Sequence, residues 1–139
     1  MHSYLVSLRI SGETLNPSTI TSQLGVEPTQ VRTKGQPHPD RKSTWDESMW
    51  EYEVKPSGGE HEWRSLESGL EVILSTFASH QRTLREYQQR FKVLLFCGHF
   101  TSSFDGGPTL SPSLLAQLGD FGIELLLDTY CSDDPDSEA

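Results

Sequence analysis

The sequence predicts an α+β fold: duplicated strand–helix–strand units closing into a ferredoxin-like sandwich, a sheet of four to five strands with helices packed mainly on one face. Three observations predict it. Two short segments, Leu15–Gly25 and Leu110–Gly119, each follow a strand-like run, open a helix on Pro-Ser and close on Gln-Leu-Gly. Apolar and polar residues alternate over 4–10 and again near the C-terminal end, the period of a half-buried strand. Between the two units runs the longest helical pattern in the chain. Trp63, Leu66, Leu70, Ile73, Phe77, His80, Leu84, Tyr87 and Phe91 follow steps of three and four, an apolar stripe along one side of a helix.

In the first strand, Tyr4, Val6, Leu8 and Ile10 share a face while Ser7 and Arg9 point the other way. Asn16 is suited to cap the following helix, because its side-chain oxygen accepts an orphan backbone N–H. Pro17 fits the first helical position, Leu15 and Ile20 form a hydrophobic staple, and Gly25 stops the helix, giving a span of 17–24. Residues 26–43 read as an irregular loop, broken by Pro28, Gly35, Pro37 and Pro39. Residues 44–54 read as a strand or bent hairpin in which Trp50, Tyr52 and Val54 alternate with Glu51 and Glu53. Trp45 has the opposite parity to Trp50, which places a bulge or turn near 46–48. After the Pro56–Gly59 linker, the stripe predicts a helix over 61–89, kinked or broken near Ser79-His80. It reads as a helix packed on a sheet; Ser65, Ser68, Gly69 and Ser75 weaken it as a free coiled coil.

The run 91–100 is almost continuously apolar and predicts a central strand covered on both faces. Ser111 then caps a second Pro-initiated helix with a Leu110/Leu115 staple, ending at Gln117-Leu118-Gly119. The last strand covers 122–131, with Ile123, Leu125 and Leu127 on one face and Glu124, Asp128 and Tyr130 on the other.

At 139 residues the chain suits one domain, expected over 1–131 with an acidic tail over 132–139. Charge is unevenly placed. Residues 1–92 carry 12 acids and all 11 bases, a net −1, whereas 93–139 carry 8 acids and no Lys or Arg, a net −8. With a total of −9 and no aromatics interleaved among the basic residues, nucleic acid is not an expected partner. No apolar run reaches the length of a membrane span, and Met1-His2-Ser3-Tyr4 does not lead into a signal-type segment. The expectation is a cytoplasmic protein with no membrane partner, a monomer or homodimer.

The order of several residues resembles a known family. Asn16-Pro17-Ser18 with Ile20 leads to Leu24-Gly25-Val26-Glu27-Pro28-Thr29, then Thr33-Lys34-Gly35 and a later Trp (Trp45 or Trp50). An amphipathic helix and a closing Leu118-Gly119 followed by Asp128-Thr129-Tyr130 complete it. This is similar to a bacterial domain-of-unknown-function family, number forty-two seventy-nine in its series. The resemblance covers nearly the whole chain, and its most specific piece is Leu-Gly-x-Glu-Pro-Thr followed by Lys-Gly. It implies a small cytoplasmic bacterial protein and transfers no catalytic residue.

Cys97 and His99 share a strand face, and Cys131 ends another strand. The spacing lacks the paired clips of a zinc ribbon or finger, so no metal or other cofactor is expected. No nucleophile elbow, phosphate loop, dinucleotide fingerprint or His-Glu-x-x-His occurs, and no catalytic residue is assigned. The candidate ligand site is the long loop, where Arg32, Lys34 and His38 supply donors, Gly35 lets a ligand approach the backbone and Trp45 lies near the exit. Arg9, Glu51, Glu53, Glu124, Asp128 and Tyr130 form a polar plate on the outer face of the sheet, a candidate partner surface. These features favour a non-enzymatic binding or regulatory module for a protein or small anionic ligand. One rival is an acidic inhibitor or immunity-type protein covering a basic enzyme site with residues 120–139. A second is a small enzyme using His99 with Asp105 or Glu124.

Overall fold

The computed structural model describes residues 1–132; the expected acidic tail lies outside them from Asp133 onward. The described residues form an α+β fold with one mixed five-stranded sheet and four α-helices. Strand β1 is His2–Gly12, helix α1 Pro17–Leu24, β2 Gln30–Arg32 and β3 Ser48–Val54. Then follow α2 (Leu66–Thr76), a 3₁₀ turn at Ala78–His80, α3 (Gln81–Tyr87), β4 (Lys92–Thr101), α4 (Pro112–Phe121) and β5 (Glu124–Cys131). The strand order is β2-β3-β1-β4-β5, antiparallel throughout except for the parallel pair β4/β5.

Both Pro-initiated helices are present, each between strands. Their pairing differs: β1 and β3 lie antiparallel, whereas β4-α4-β5 is a parallel crossover. At α1, the Asn16 side chain accepts from the Ser18 N–H at 3.0 Å, and Gly25 adopts the left-handed conformation (φ 72°) while its N–H reaches the Thr21 carbonyl. Leu15 and Ile20 are both buried, as a staple requires. At α4, Ser111 caps as expected, but the helix runs past Gly119 to Phe121 and stops at Gly122 (φ 69°). Phe121 is buried and anchors this extra turn, while Leu115 is 52% exposed and forms no staple.

The long helical stripe is broken. Its first turn is missing because Trp63 bridges to Tyr4 by backbone hydrogen bonds, both 2.8 Å, and its indole N–H donates to the Val54 carbonyl. The break comes at the 3₁₀ turn Ala78–His80, which contains the expected Ser79-His80 kink. Trp63 and Phe91 still pack on the core, so the period of three and four reports burial across several elements rather than one helix.

The core lies between the helices and one face of the sheet. Val6, Leu8, Ile10, Trp50, Val54, Val93, Leu95 and Cys97 meet Ile20 and Leu24 of α1, Leu70, Ile73 and Leu74 of α2, Leu84 of α3 and Leu114 of α4. Among the described residues, the opposite face carries no helix layer. Strand β4 is therefore not covered on both sides by elements: Leu94, Phe96 and Phe100 are half-buried under neighbouring side chains. The Arg9 guanidinium lies 3.8 Å from the Phe96 ring centre, and Phe100 stacks on Tyr130.

Candidate functional site

Strand register assembles the open face into rows. Arg32, Met49, Ser11 and Lys92 cross β2, β3, β1 and β4 in one row. Gln30, Glu51, Arg9, Leu94 and Glu124 form the next. Glu53, Ser7, Phe96 and Leu126 follow, and beyond them Leu5, Gly98 and Asp128, then Ser3, Phe100 and Tyr130. All six residues expected on the polar plate therefore share this face, but apolar side chains separate them into two groups.

At one end of the face is a half-open cleft of about 480 Å³, lined by Arg9, Ser11, Arg32, Met49, Lys92 and Leu94, with Trp45, Asp46 and Glu47 from the segment before β3. The loop builds its wall. Gly35 (φ 86°) donates its N–H to the Trp45 carbonyl at 2.9 Å, and Trp45 donates in return to the Gln36 carbonyl at 3.0 Å. The His38 ring packs 3.9 Å from the Trp45 ring, and its Nδ1 accepts from the Asp40 N–H. So braced, the indole sits 4.3 Å from the Arg32 guanidinium carbon, a cation–π contact. Arg32 Nε is buried and has no hydrogen-bond partner among the described residues.

The loop candidates thus divide. Arg32 and Trp45 line the cleft, and His38 buttresses Trp45. The N–H of Gly35 is already taken by the Trp45 carbonyl, and Lys34 is exposed, contributing its backbone N–H to Ser48 Oγ. Lys92 and Met49 reach the cleft through register, which residue order alone does not reveal. Arg9 differs from Arg32 in having an acid partner. Its Nε pairs with Glu51, which is 8% exposed and also accepts from Ser7 Oγ at 3.0 Å. Next to this pair, Glu53 has its pKa raised by burial, with Lys55 opposing and Glu51 adding to the shift.

On β5, the Tyr130 hydroxyl donates to Asp128 at 2.6 Å; that bond chiefly, then burial, raises the tyrosine pKa. A second hollow of about 480 Å³ opens at this end of the face, bounded by Ser3, Phe100, Tyr130 and Cys131. On the helix side, His99 is 5% exposed and bonded to His2 at 2.8 Å and to Thr129 Oγ1 at 3.1 Å. Glu124 lies on the opposite face, and Asp105 meets His2 through its backbone carbonyl rather than its carboxylate. No group of three His, Cys, Asp or Glu suited to a metal occurs among the described residues.

Comparison with known families gives one match. Residues 2–132 match the family described as Domain of unknown function (DUF4279). The chain belongs to that family. No curated protein and no solved structure matches. No helix of this DUF4279 domain is long and apolar enough to cross a membrane, among the described residues.

Proposed function

We propose that this DUF4279 domain is a non-enzymatic binding or regulatory module for an anionic ligand or an anionic group on a protein partner. We place it in the cytoplasm of a bacterium, an assignment supported by the family resemblance and by two free thiols, Cys97 and Cys131. The binding site is the cleft at Arg32. One observation carries this reading: Arg32 Nε is buried and unpartnered, beside a cleft that Arg9 and Lys92 also line. A buried guanidinium N–H without an acceptor is costly, and a carboxylate or phosphate oxygen satisfies it with a charge-assisted hydrogen bond. Trp45 holds the guanidinium plane, so little side-chain freedom is lost on binding. Asp46 and Glu47 at the rim oppose highly charged anions and favour a compact one.

The test is titration with inorganic phosphate and with acetate, followed at the Arg32 Nε–H resonance. Binding of either anion moves that resonance. Arg32→Gln weakens the affinity about tenfold or more, the scale of one hydrogen bond to a charged group, without loss of Tm. A resonance that neither anion moves overturns the reading.

A further inference from the structure

We propose that the outer edge of β5 is an interaction surface that accepts a basic, extended peptide segment as a sixth strand. This stands independently of the cleft. Strand β5 hydrogen-bonds to β4 on one side, and no strand of the described residues pairs with its other side. The two edges of the sheet are built differently. β2 has three residues, whereas β5 has eight in an uninterrupted ladder from Leu94↔Glu124 to Thr101↔Cys131. Open edges are usually blunted by shortness, Pro, a bulge or charged side chains, and of these β5 has only the two carboxylates Glu124 and Asp128. It instead presents Leu125, Leu126 and Leu127, exposed by 37%, 48% and 38%. Leu126 faces the open side of the sheet and the other two face the helix side, so an added strand finds apolar surface on both faces.

Charge selects the occupant. Glu124 and Asp128 stand on the open face on either side of Leu126, and residues 93–139 carry no Lys or Arg. Lys92 shares a hollow with Glu124 but lies on β4, one strand in from the edge. A second copy of the chain fits poorly. A two-fold axis normal to the sheet through Leu126 sets Glu124 against Asp128 of the other copy, twice. An axis through Leu127 sets Leu126 against Asp128. Like charges directly opposed across strands destabilise pairing, and each chain also carries −9. A foreign strand with Lys or Arg opposite Glu124 and Asp128, and three apolar residues between them, meets every side chain favourably. That pattern is symmetric, so it fits in either strand direction.

The probe is a capped Thr-Lys-Val-Leu-Val-Lys-Thr peptide, compared with its Glu-for-Lys counterpart and with a version N-methylated at alternate amides. Strand addition predicts amide shifts along β5 and binding of the Lys peptide at least tenfold tighter than the Glu peptide at physiological salt. It also predicts at least a tenfold loss on N-methylation of the amides facing β5. The double substitution Glu124→Lys with Asp128→Lys, at an exposed and a half-buried position, reverses the preference between the two peptides. Because the peptide set is read on the unaltered protein, the outcome stands even if the double variant fails to fold. Three results overturn the proposal: no binding, binding indifferent to N-methylation (charge attraction only), or sedimentation as a dimer joined at β5. None of these touches Arg32, so failure here leaves the cleft reading standing.

Discussion

Buried His99, bonded to half-buried His2, predicts a stability profile whose sign and ceiling follow from its hydrogen bonds and its burial. His2 Nε2 lies 2.9 Å from the Asp105 carbonyl oxygen, which only accepts, so Nε2 carries the proton. In neutral His2 the other nitrogen, Nδ1, is then an acceptor, and His99 Nε2 at 2.8 Å is its donor. His99 Nδ1 is left to accept from the Thr129 hydroxyl at 3.1 Å. With both rings neutral, every bond is made. His99 also stacks on Tyr4 and His2, with ring centres 4.7 and 5.0 Å away. Burial, and secondly the charge that His2 can carry, hold the His99 pKa below its ordinary 6.5. The unfolded chain therefore takes up this proton at higher pH than the folded one. The contribution of His99 is fully present above the unfolded value of 6.5, falls as pH drops below it, and levels off below the folded value. A proton fully withheld changes stability by about 1.4 kcal/mol per pH unit, so one unit below 6.5 the loss cannot exceed about 1.4 kcal/mol, or about 5 °C in Tm. Urea unfolding at about pH 7.5 and about pH 5.5 measures it. In His99→Gln the amide can replace both ring hydrogen bonds but does not titrate, so its stability drops less than the wild type's over that interval. An equal drop in both proteins refutes the coupling of His99 protonation to folding.

Two further predictions test packing and thiol chemistry. Gly69→Ala and Gly119→Ala change stability in opposite directions. Each gains about 0.5–1 kcal/mol of helix propensity. At Gly69, however, a Cβ would stand 2.7 Å from Val6 Cγ2 and 3.2 Å from the Trp63 ring, while at Gly119 it meets nothing within 4 Å. Overpacking of about 1–3 kcal/mol makes Gly69→Ala destabilising, and a Tm that rises in both variants contradicts this. The folded protein releases one equivalent of thionitrobenzoate rapidly, from half-exposed Cys131. Cys97 is fully buried and its pKa is pushed to about 12, so it reacts only after denaturation. Two rapid equivalents would show that Cys97 is accessible.

Strand faces were legible because alternation is local: Tyr4 to Ile10, Trp50 to Val54 and Ile123 to Leu127 each declare a face within a few residues. Caps were legible for the same reason, since Asn16, Ser111 and Gly25 act on their immediate neighbours. What failed depended on tertiary contacts. Gln30-Val31-Arg32 is too short and polar to signal a strand, and exists because it pairs with Arg32↔Met49 and its neighbours on β3. Trp63 fits the helical period, yet its backbone is claimed by Tyr4. The Gln-Leu-Gly pattern placed the stop of α4 at Gly119; burial of Phe121 carries the helix on to Gly122. The loop was identifiable as irregular and cation-bearing. That Lys92 would join Arg32 follows only from the β1/β4 register that sets Ser11 beside Lys92.

That register also separates two kinds of charge that the sequence presents alike. Arg9 and Arg32 are both half-buried arginines on the open face, each laid on an aromatic ring. Arg9 has Glu51 directly opposite on β3, so its charge is neutralised within the fold and the pair anchors the middle of the face. Arg32 has Met49 opposite, which offers stacking surface and no acceptor of comparable strength. Likewise Glu51 is paired with Arg9, whereas Glu124 and Asp128, the latter accepting from the Tyr130 hydroxyl, lie on an edge that no strand of the described residues faces. What looked like a single polar plate is therefore a neutralised centre flanked by a cation end at Arg32 and an anion end at Glu124 and Asp128. Removing Arg9 would leave Glu51 as a buried, uncompensated carboxylate and so cost stability. Removing Arg32 relieves a buried donor and leaves the fold intact, so the two substitutions should divide between stability and binding.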